Sequence, residues 1–173
     1  MTNELISQIL KIKLVVSDCD GVLTDGGLYY TEDGLEIKRF HVLDGMGFLM
    51  LKENGIKTGL ITGESNPLVK NRANKLKLDY ICLGTKDKLG KLTEICKEMG
   101  ISISEAAYVG DDSFDVPAIE SCGFGVVPGD ALDYVRERAD YVTQKGGGHG
   151  CFREVADLIL RIKGINPLEG EHR

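Results

Sequence analysis

The sequence predicts an α/β fold: a doubly wound, Rossmann-like and mostly parallel sheet with helices on both faces, a projecting β-hairpin and no separate cap domain. Three observations carry this reading. Short apolar runs alternate along the chain with segments whose apolar residues recur at helical spacing. Several of the short runs end in a polar group, as they do where strands deliver side chains to the crevice at their carboxyl edge. One stretch alone, residues 27–40, breaks the alternation.

Strands are expected at residues 12–17, 57–61, 80–82, 107–109, 125–127 and 141–143, each a short β-rich apolar run. Helices are expected between them at 44–52, 66–76, 87–99, 115–121 and 132–138, several following a capping residue. Within the first helix Met46, Phe48, Leu49, Met50 and Leu51 cluster on the apolar side and read as core rather than as a ligand pocket. Residues 27–40 read as two strands around the Asp33-Gly34 turn. An isolated hairpin is marginal in water, so this one is expected to pair with hairpins of neighbouring subunits. Residues 146–173 form a C-terminal tail and helix, whose Gly146-Gly147-Gly148 start reads as a flexible hinge because it lacks phosphate-loop spacing. The polar residues 169–173 are expected to be mobile.

At 173 residues the chain suits one well-buried domain spanning 1–173. A net charge of -6 argues against nucleic acid or an anionic membrane as the main partner, so an anionic ligand must be drawn by local positive charge. Five cysteines, Cys19, Cys82, Cys96, Cys122 and Cys151, are scattered without a CxxC pair and suit a reducing cytoplasm. No apolar run approaches a membrane span, and the first ten residues mix acidic and polar groups unlike a signal peptide. A cytoplasmic protein is the expectation.

The run Leu14-Val15-Val16-Ser17-Asp18-Cys19-Asp20-Gly21 ends a buried strand in two carboxylates. Positions two apart in extended chain point the same way, so Asp18 and Asp20 converge while Cys19 turns aside. Adjacent carboxylates repel and persist only with a cation, with hydrogen-bond donors or with one of them protonated. The same stretch also reads as a turn whose aspartates cap loop amides. Downstream, Thr62 precedes Gly63, Lys86 and Lys88 flank Asp87, and Gly110-Asp111-Asp112-Ser113-Phe114-Asp115 offers three further carboxylates. An open parallel sheet gathers these acids, hydroxyl and cations in one crevice.

This order, Asp18-x-Asp20-Gly21-Val22-x-Thr24-Asp25-Gly26, then Thr62, then a lysine, then Gly110-Asp111-Asp112-x-x-Asp115, resembles the haloacid dehalogenase superfamily of aspartate-nucleophile phosphatases over nearly the whole chain. It is most similar to the capless branch that holds 3-deoxy-D-manno-octulosonate 8-phosphate (KDO 8-phosphate) phosphatases and nonulosonate 9-phosphate phosphatases. Thr24-Asp25-Gly26, Phe40-His41-Val42-Leu43-Asp44-Gly45 and the 146–154 tail carry that closer likeness. The resemblance implies Asp18 as nucleophile and Asp20 as general acid and base, with Lys88 and Thr62 on the phosphate. It also implies Mg²⁺ held by the Asp18 and Asp111 carboxylates and the Asp20 carbonyl, with Asp112 and Asp115 behind them. Asp115 reads equally as a helix cap, and Lys86 is a close rival to Lys88.

Thr24, Asp25, Gly63, Glu64, Lys75 and Arg153 are the expected substrate contacts, and the resemblance further implies a homotetramer. His41 and His149 sit in no metal-ligand pattern. Glu64 and Leu43 stand where the KDO 8-phosphate branch favours Arg, and Lys75 stands where the nonulosonate branch carries Lys. A Glu accepts sugar hydroxyls and repels a carboxylate that an Arg clamps. The reading therefore leans to a nonulosonate (KDN or N-acylneuraminate) 9-phosphate, with KDO 8-phosphate as the alternative and a Glu64–Lys75 surface pair as the plainest account of both residues. Two other classes compete. A receiver-like phospho-acceptor domain places its acidic pair before the acceptor strand, the reverse of this order. A silent oligomerisation module would not need Asp18, Asp20, Lys88 and Asp111 together.

Overall fold

The computed structural model describes residues 1–166, so the polar segment 169–173 lies outside the described residues. In chain order the elements are α1 (Asn3–Ile9), β1 (Leu14–Ser17), β2 (Tyr29–Tyr30), β3 (Glu36–Ile37), α2 (Val42–Glu53), β4 (Lys57–Ile61), α3 (Pro67–Lys75) and β5 (Tyr80–Cys82). They continue with α4 (Lys88–Met99), β6 (Ala106–Val109), α5 (Val116–Ser121), β7 (Phe124–Val127), α6 (Asp133–Arg136), β8 (Tyr141–Val142) and α7 (Cys151–Ile162).

Six strands pair in the order β5-β4-β1-β6-β7-β8, every pair parallel. The chain enters at β1 in the middle, runs out through β4 to β5, then crosses back to β6 and onward to β8. The order therefore reverses at β1, and the crevice of a doubly wound sheet opens where it does so. Strand alternation sends Val15 to the core layer that α1, α2, α3 and α7 close. It sends Leu14 and Val16 to the opposite layer, closed by α4, α5 and α6. Because both faces are covered, β1, β6 and β7 are buried throughout and read as continuous apolar runs.

Two helices cap as their sequences suggest: Asn66 accepts the Leu68 N–H at the start of α3, and Asp87 accepts the Gly90 N–H at the start of α4. The hairpin forms too, as two antiparallel two-residue strands, with Gly34 at φ +82°. Helix α1 was not expected; the Thr2 hydroxyl accepts the Leu5 N–H at its start, and its seven residues bury Ile9 in the core. Tertiary packing rather than propensity holds so short a helix.

The hinge expected at Gly146-Gly147-Gly148 is instead a packed loop. The Gly147 and Gly148 N–H groups donate to Asp130 Oδ1 and the Val22 carbonyl, each at 2.9 Å. A Cβ on Gly147 would stand 2.0 Å from the Gly21 carbonyl oxygen. Glycine serves close backbone approach here, and it lays the tail against the turn that follows β1.

The tail continues into α7, whose Phe152 ring stacks on Phe48 of α2 at 3.8 Å between centroids, both rings fully buried. Truncating such a ring removes its transfer energy and leaves a cavity, a loss of about 3–5 kcal/mol. Phe152→Ala should lower the unfolding free energy by that amount in a denaturant titration; a loss under about 1 kcal/mol would show that the stack does not tie the tail to the core.

Candidate active site

The carboxyl ends of β1, β4 and β6 and the start of α4 surround a cleft of about 460 Å³. Strand pairing carries Asp18 to it, because its N–H donates to the Val109 carbonyl of the adjacent β6 at 2.8 Å. Gly21 then turns the chain at φ +78°, and a Cβ there would fall 1.9 Å from Asp111 Oδ2. Only glycine lets this turn lie against the Asp111 carboxylate.

At the floor, Lys88 Nζ lies 2.6 Å from Asp18 Oδ2 and 2.7 Å from Asp115 Oδ1. Asp115 is wholly buried, and it also accepts the Tyr108 hydroxyl at 2.8 Å and the N–H groups of Asp111 and Asp112 at 3.2 Å. Its side chain does not cap α5, the alternative the sequence leaves open; it fixes the loop that presents Asp111. Asp18 Oδ1 and Asp111 Oδ1 are buried without a hydrogen-bond partner. Asp18, Asp111 and Asp115 each bring an oxygen within 4.8 Å of the others.

Three carboxylates thus share one ammonium, and the charge states reflect the imbalance. Burial first, then repulsion from Asp115, pushes Asp18 up to about 6 despite Lys88. Burial, then Asp115 and Asp18, pushes Asp111 up to about 8. Burial alone would pull Lys88 down, but attraction to Asp18 and Asp115 outweighs it and the ammonium is held above its usual range. Asp18 is raised because burial and Asp115 outweigh Lys88, whereas Lys88 is raised because it faces two carboxylates at once. Three carboxylates against one ammonium, with two orphaned hard oxygens, suit a divalent oxygen-binding cation.

Asp20 is the more open acid, its side chain 35% exposed. It meets a residue that the sequence reading missed: Lys38, at the end of the hairpin, places Nζ 2.8 Å from both Asp20 oxygens. Burial would lower the Lys38 pKa, but hydrogen bonds to Asp20 and Glu36 raise it. The alternation of Glu36 and Lys38 was the available signal, yet nothing local says which side of a hairpin faces a cleft.

Of the other expected contacts, Thr62, Gly63 and Glu64 line the cleft, as do Asp112, Lys86 and Phe114. Lys86 lies over the Phe114 ring at 5.7 Å and meets neither Asp18 nor Asp115, so geometry separates it from Lys88. Thr24 is buried and donates its hydroxyl to Asp20 Oδ1 at 3.0 Å. Asp25 lies at the hairpin root, accepting from Gly27, Tyr29 and Arg39. Lys75 lies exposed in the last turn of α3, and no ion pair joins it to Glu64 among the described residues. Arg153 pairs with Asp157 at 2.8 Å along α7, away from this chain's own cleft. His41 caps α2, and His149 faces the Gly147 carbonyl.

A carboxyl whose folded-state pKa lies above its unfolded value stabilises the fold while protonated and loses that contribution as pH rises through the folded value. Without a cation, stability should therefore fall as pH rises from the ordinary 3.8 to the value of about 8 for Asp111. Asp111→Asn cannot ionise and should flatten this decline. Tm measured in chelator across that interval checks it, and an equally steep fall in the variant refutes it.

A haloacid dehalogenase-like hydrolase family profile matches residues 80–154. The 3-deoxy-D-manno-octulosonate 8-phosphate phosphatase of Haemophilus influenzae is 40% identical over 153 residues, 88% of this chain and 85% of its own. That of Escherichia coli K12 is 37% identical over 161 residues, covering 93% and 86%. Among solved structures, the Moraxella catarrhalis 3-deoxy-D-manno-octulosonate 8-phosphate phosphatase, in complex with magnesium, phosphate and KDO, superposes with a TM-score of 0.91 at 40% identity, covering 95% of this chain and 94% of that one. With the sheet order and the acidic cleft, these likenesses place the chain: it belongs to the haloacid dehalogenase-like hydrolases, in the family of the 3-deoxy-D-manno-octulosonate 8-phosphate phosphatases.

Proposed function

We propose that this chain is a Mg²⁺-dependent phosphatase of a 3-deoxy-2-ulosonic acid phosphate, with KDO 8-phosphate as the substrate. The observation that carries the reading is the pair of orphaned carboxylate oxygens, on Asp18 and Asp111, beside the buried Lys88. The names of the relatives favour KDO 8-phosphate over the nonulosonate 9-phosphate that Glu64, Lys75 and Leu43 suggest.

In this reading a carboxylate oxygen of Asp18 attacks phosphorus, the bond from phosphorus to the sugar oxygen breaks, and its electron pair leaves with that oxygen. Asp20 gives the leaving oxygen a proton. Water then attacks the phosphorus of the aspartyl phosphate, Asp20 takes a proton back, and Asp18 is restored as orthophosphate departs. Lys88 neutralises phosphate oxygens and Thr62 donates a hydrogen bond. Asp115 anchors Lys88 and the Asp111–Asp112 loop. The Asp18 and Asp111 carboxylates and the Asp20 carbonyl would hold Mg²⁺, which supplies positive charge against the repulsion between carboxylate and phosphate.

A second reading keeps the chemistry and changes the sugar. Glu64 lines the cleft, where it would accept hydroxyl hydrogens of a longer sugar and disfavour a carboxylate. Phosphate release from both substrates, with Mg²⁺ and with chelator, should show KDO 8-phosphate preferred and chelation abolishing turnover. One charge-assisted hydrogen bond is worth about 1.5–3 kcal/mol, roughly ten- to a hundredfold in kcat/KM if made only in the transition state. A preference of that size for the nonulosonate, reversed by Glu64→Arg, would select the second reading; full activity in chelator would sink both.

We further propose that copies associate through the hairpin into a homotetramer. Leu28, Tyr29, Tyr30, Leu35 and Ile37 are each at least 45% exposed on a hairpin whose two-residue strands are too short to stand alone. Light scattering should give a tetramer for wild type and smaller species for Tyr30→Glu/Ile37→Glu; a monomeric wild type refutes the association.

A further inference from the structure

Lys38 has no role in the chemistry above, yet it is a buried, doubly paired side chain on an otherwise exposed hairpin. Its side chain is 4% exposed while Tyr30, Leu35 and Ile37 around it are open to solvent. Besides its two contacts to Asp20, Nζ lies 3.0 Å from Glu36 Oε1. Glu36 Oε2 accepts a 2.8 Å hydrogen bond from Asn66 Nδ2, and Asn66 Oδ1 accepts the Leu68 N–H at 2.9 Å. A continuous line of contacts thus runs from the cap of α3 through Glu36 and Lys38 to Asp20.

Burying a flexible ammonium costs desolvation and side-chain entropy, and an ion pair returns little of it as stability. The gain lies in orientation. Asp20 Oδ1 takes both the Thr24 hydroxyl and Lys38, whereas Oδ2 takes only Lys38. Oδ1 is therefore anchored twice and Oδ2 once, so Oδ2 keeps the greater accepting capacity on a side chain that lines the cleft.

We propose that Lys38 is a positioning residue for proton transfer: held by Glu36 and Asn66, it fixes the Asp20 carboxyl so that Oδ2 faces the leaving oxygen of the substrate. This rests on the reading of Asp20 as the group that protonates that oxygen. The hairpin is then a working part of the active site and more than an assembly arm.

Proton delivery matters for a sugar alkoxide and little for p-nitrophenolate, which leaves without a proton. The ratio kcat/KM covers the steps up to phosphorus–oxygen cleavage, so it isolates this transfer. General acid catalysis contributes roughly a hundred- to ten-thousandfold, and misplacing a group by 1 Å costs about a hundredfold. Lys38→Met should thus lower kcat/KM on KDO 8-phosphate by roughly ten- to a hundredfold and on p-nitrophenyl phosphate by less than about threefold. Lys38→Arg should restore most of the loss, and Glu36→Gln should give a smaller loss with the same substrate selectivity. In an Asp20→Asn background, Lys38→Met should cost little more. Equal losses on both substrates, or losses that add to those of Asp20→Asn, would reduce Lys38 to a structural ion pair. Should Lys38→Met fail to fold, Glu36→Gln without substrate selectivity overturns the proposal. If Asp20→Asn itself affects both substrates equally, the reading of Asp20 fails, and that result is distinct from a selective Asp20→Asn beside an unselective Lys38→Met.

Discussion

One buried ammonium among three carboxylates sets the terms for the rest of this molecule. Lys88 reaches Asp18 and Asp115 at the bottom of the cleft, and Asp111 stands beside them with a bare oxygen. Such a cluster is electrostatically unfavourable as it stands, since removing charges from water costs more than imperfect pairing returns. It is tolerated because each carboxylate is held by elements that cannot easily move apart. Asp18 directly follows a strand paired on both sides, Asp115 binds two backbone N–H groups and a tyrosine hydroxyl, and α4 carries Lys88 on its first turn. The strain this leaves is released by a divalent cation or by a phosphate beside one, and a phosphoryl-transfer site stores electrostatic preorganisation in this form.

The fold explains why these groups meet. A parallel sheet that reverses order at its first strand sends neighbouring connections to opposite faces, leaving the carboxyl edge of β1 uncovered by either helical layer. Glycine completes the arrangement where backbone and carboxylate must nearly touch. A side chain at position 21 would strike Asp111, and one at position 147 would strike the carbonyl of Gly21. The tail, the turn after Asp18 and the acidic loop therefore stack in a fixed order, and a shift in one moves the others.

What the sequence discloses is what depends on local pattern. The sheet strands, the capped helices and the Asp18, Asp20, Lys88 and Asp111 constellation all follow from short runs whose geometry is set by period and by fold order. Local pattern leaves three-dimensional placement open. Arg153 pairs with Asp157 along α7 and Lys75 stands exposed at the end of α3, so neither lines this chain's own cleft; a helix's own residues do not state whether its side chains reach their own cleft or a neighbour's. The triple glycine read as a hinge because composition cannot distinguish freedom from close approach. Lys38 was overlooked because the hairpin's register and tilt, which bring it to Asp20, arise from contacts with Asn66 and Thr24 far from it in sequence.

Asp18 and Asp20, just past the carboxyl end of β1, show how one strand can deliver two carboxylates to different surroundings. They stand two residues apart and would have near-identical surroundings in an isolated strand. The structure gives each its own lysine from a different element. Asp18 is 7% exposed and is pinned by Lys88 from α4, leaving one oxygen bare within the acidic cluster. Asp20 is held by Lys38 from the hairpin, outside that cluster and nearer solvent. In the proposed mechanism a nucleophile needs a fixed oxygen, whereas a proton carrier must hand its proton to a leaving group and later accept one from water. Separating the lysines separates those requirements. The strand alone cannot make that division; the second lysine comes from the hairpin that interrupts the otherwise regular alternation of strand and helix.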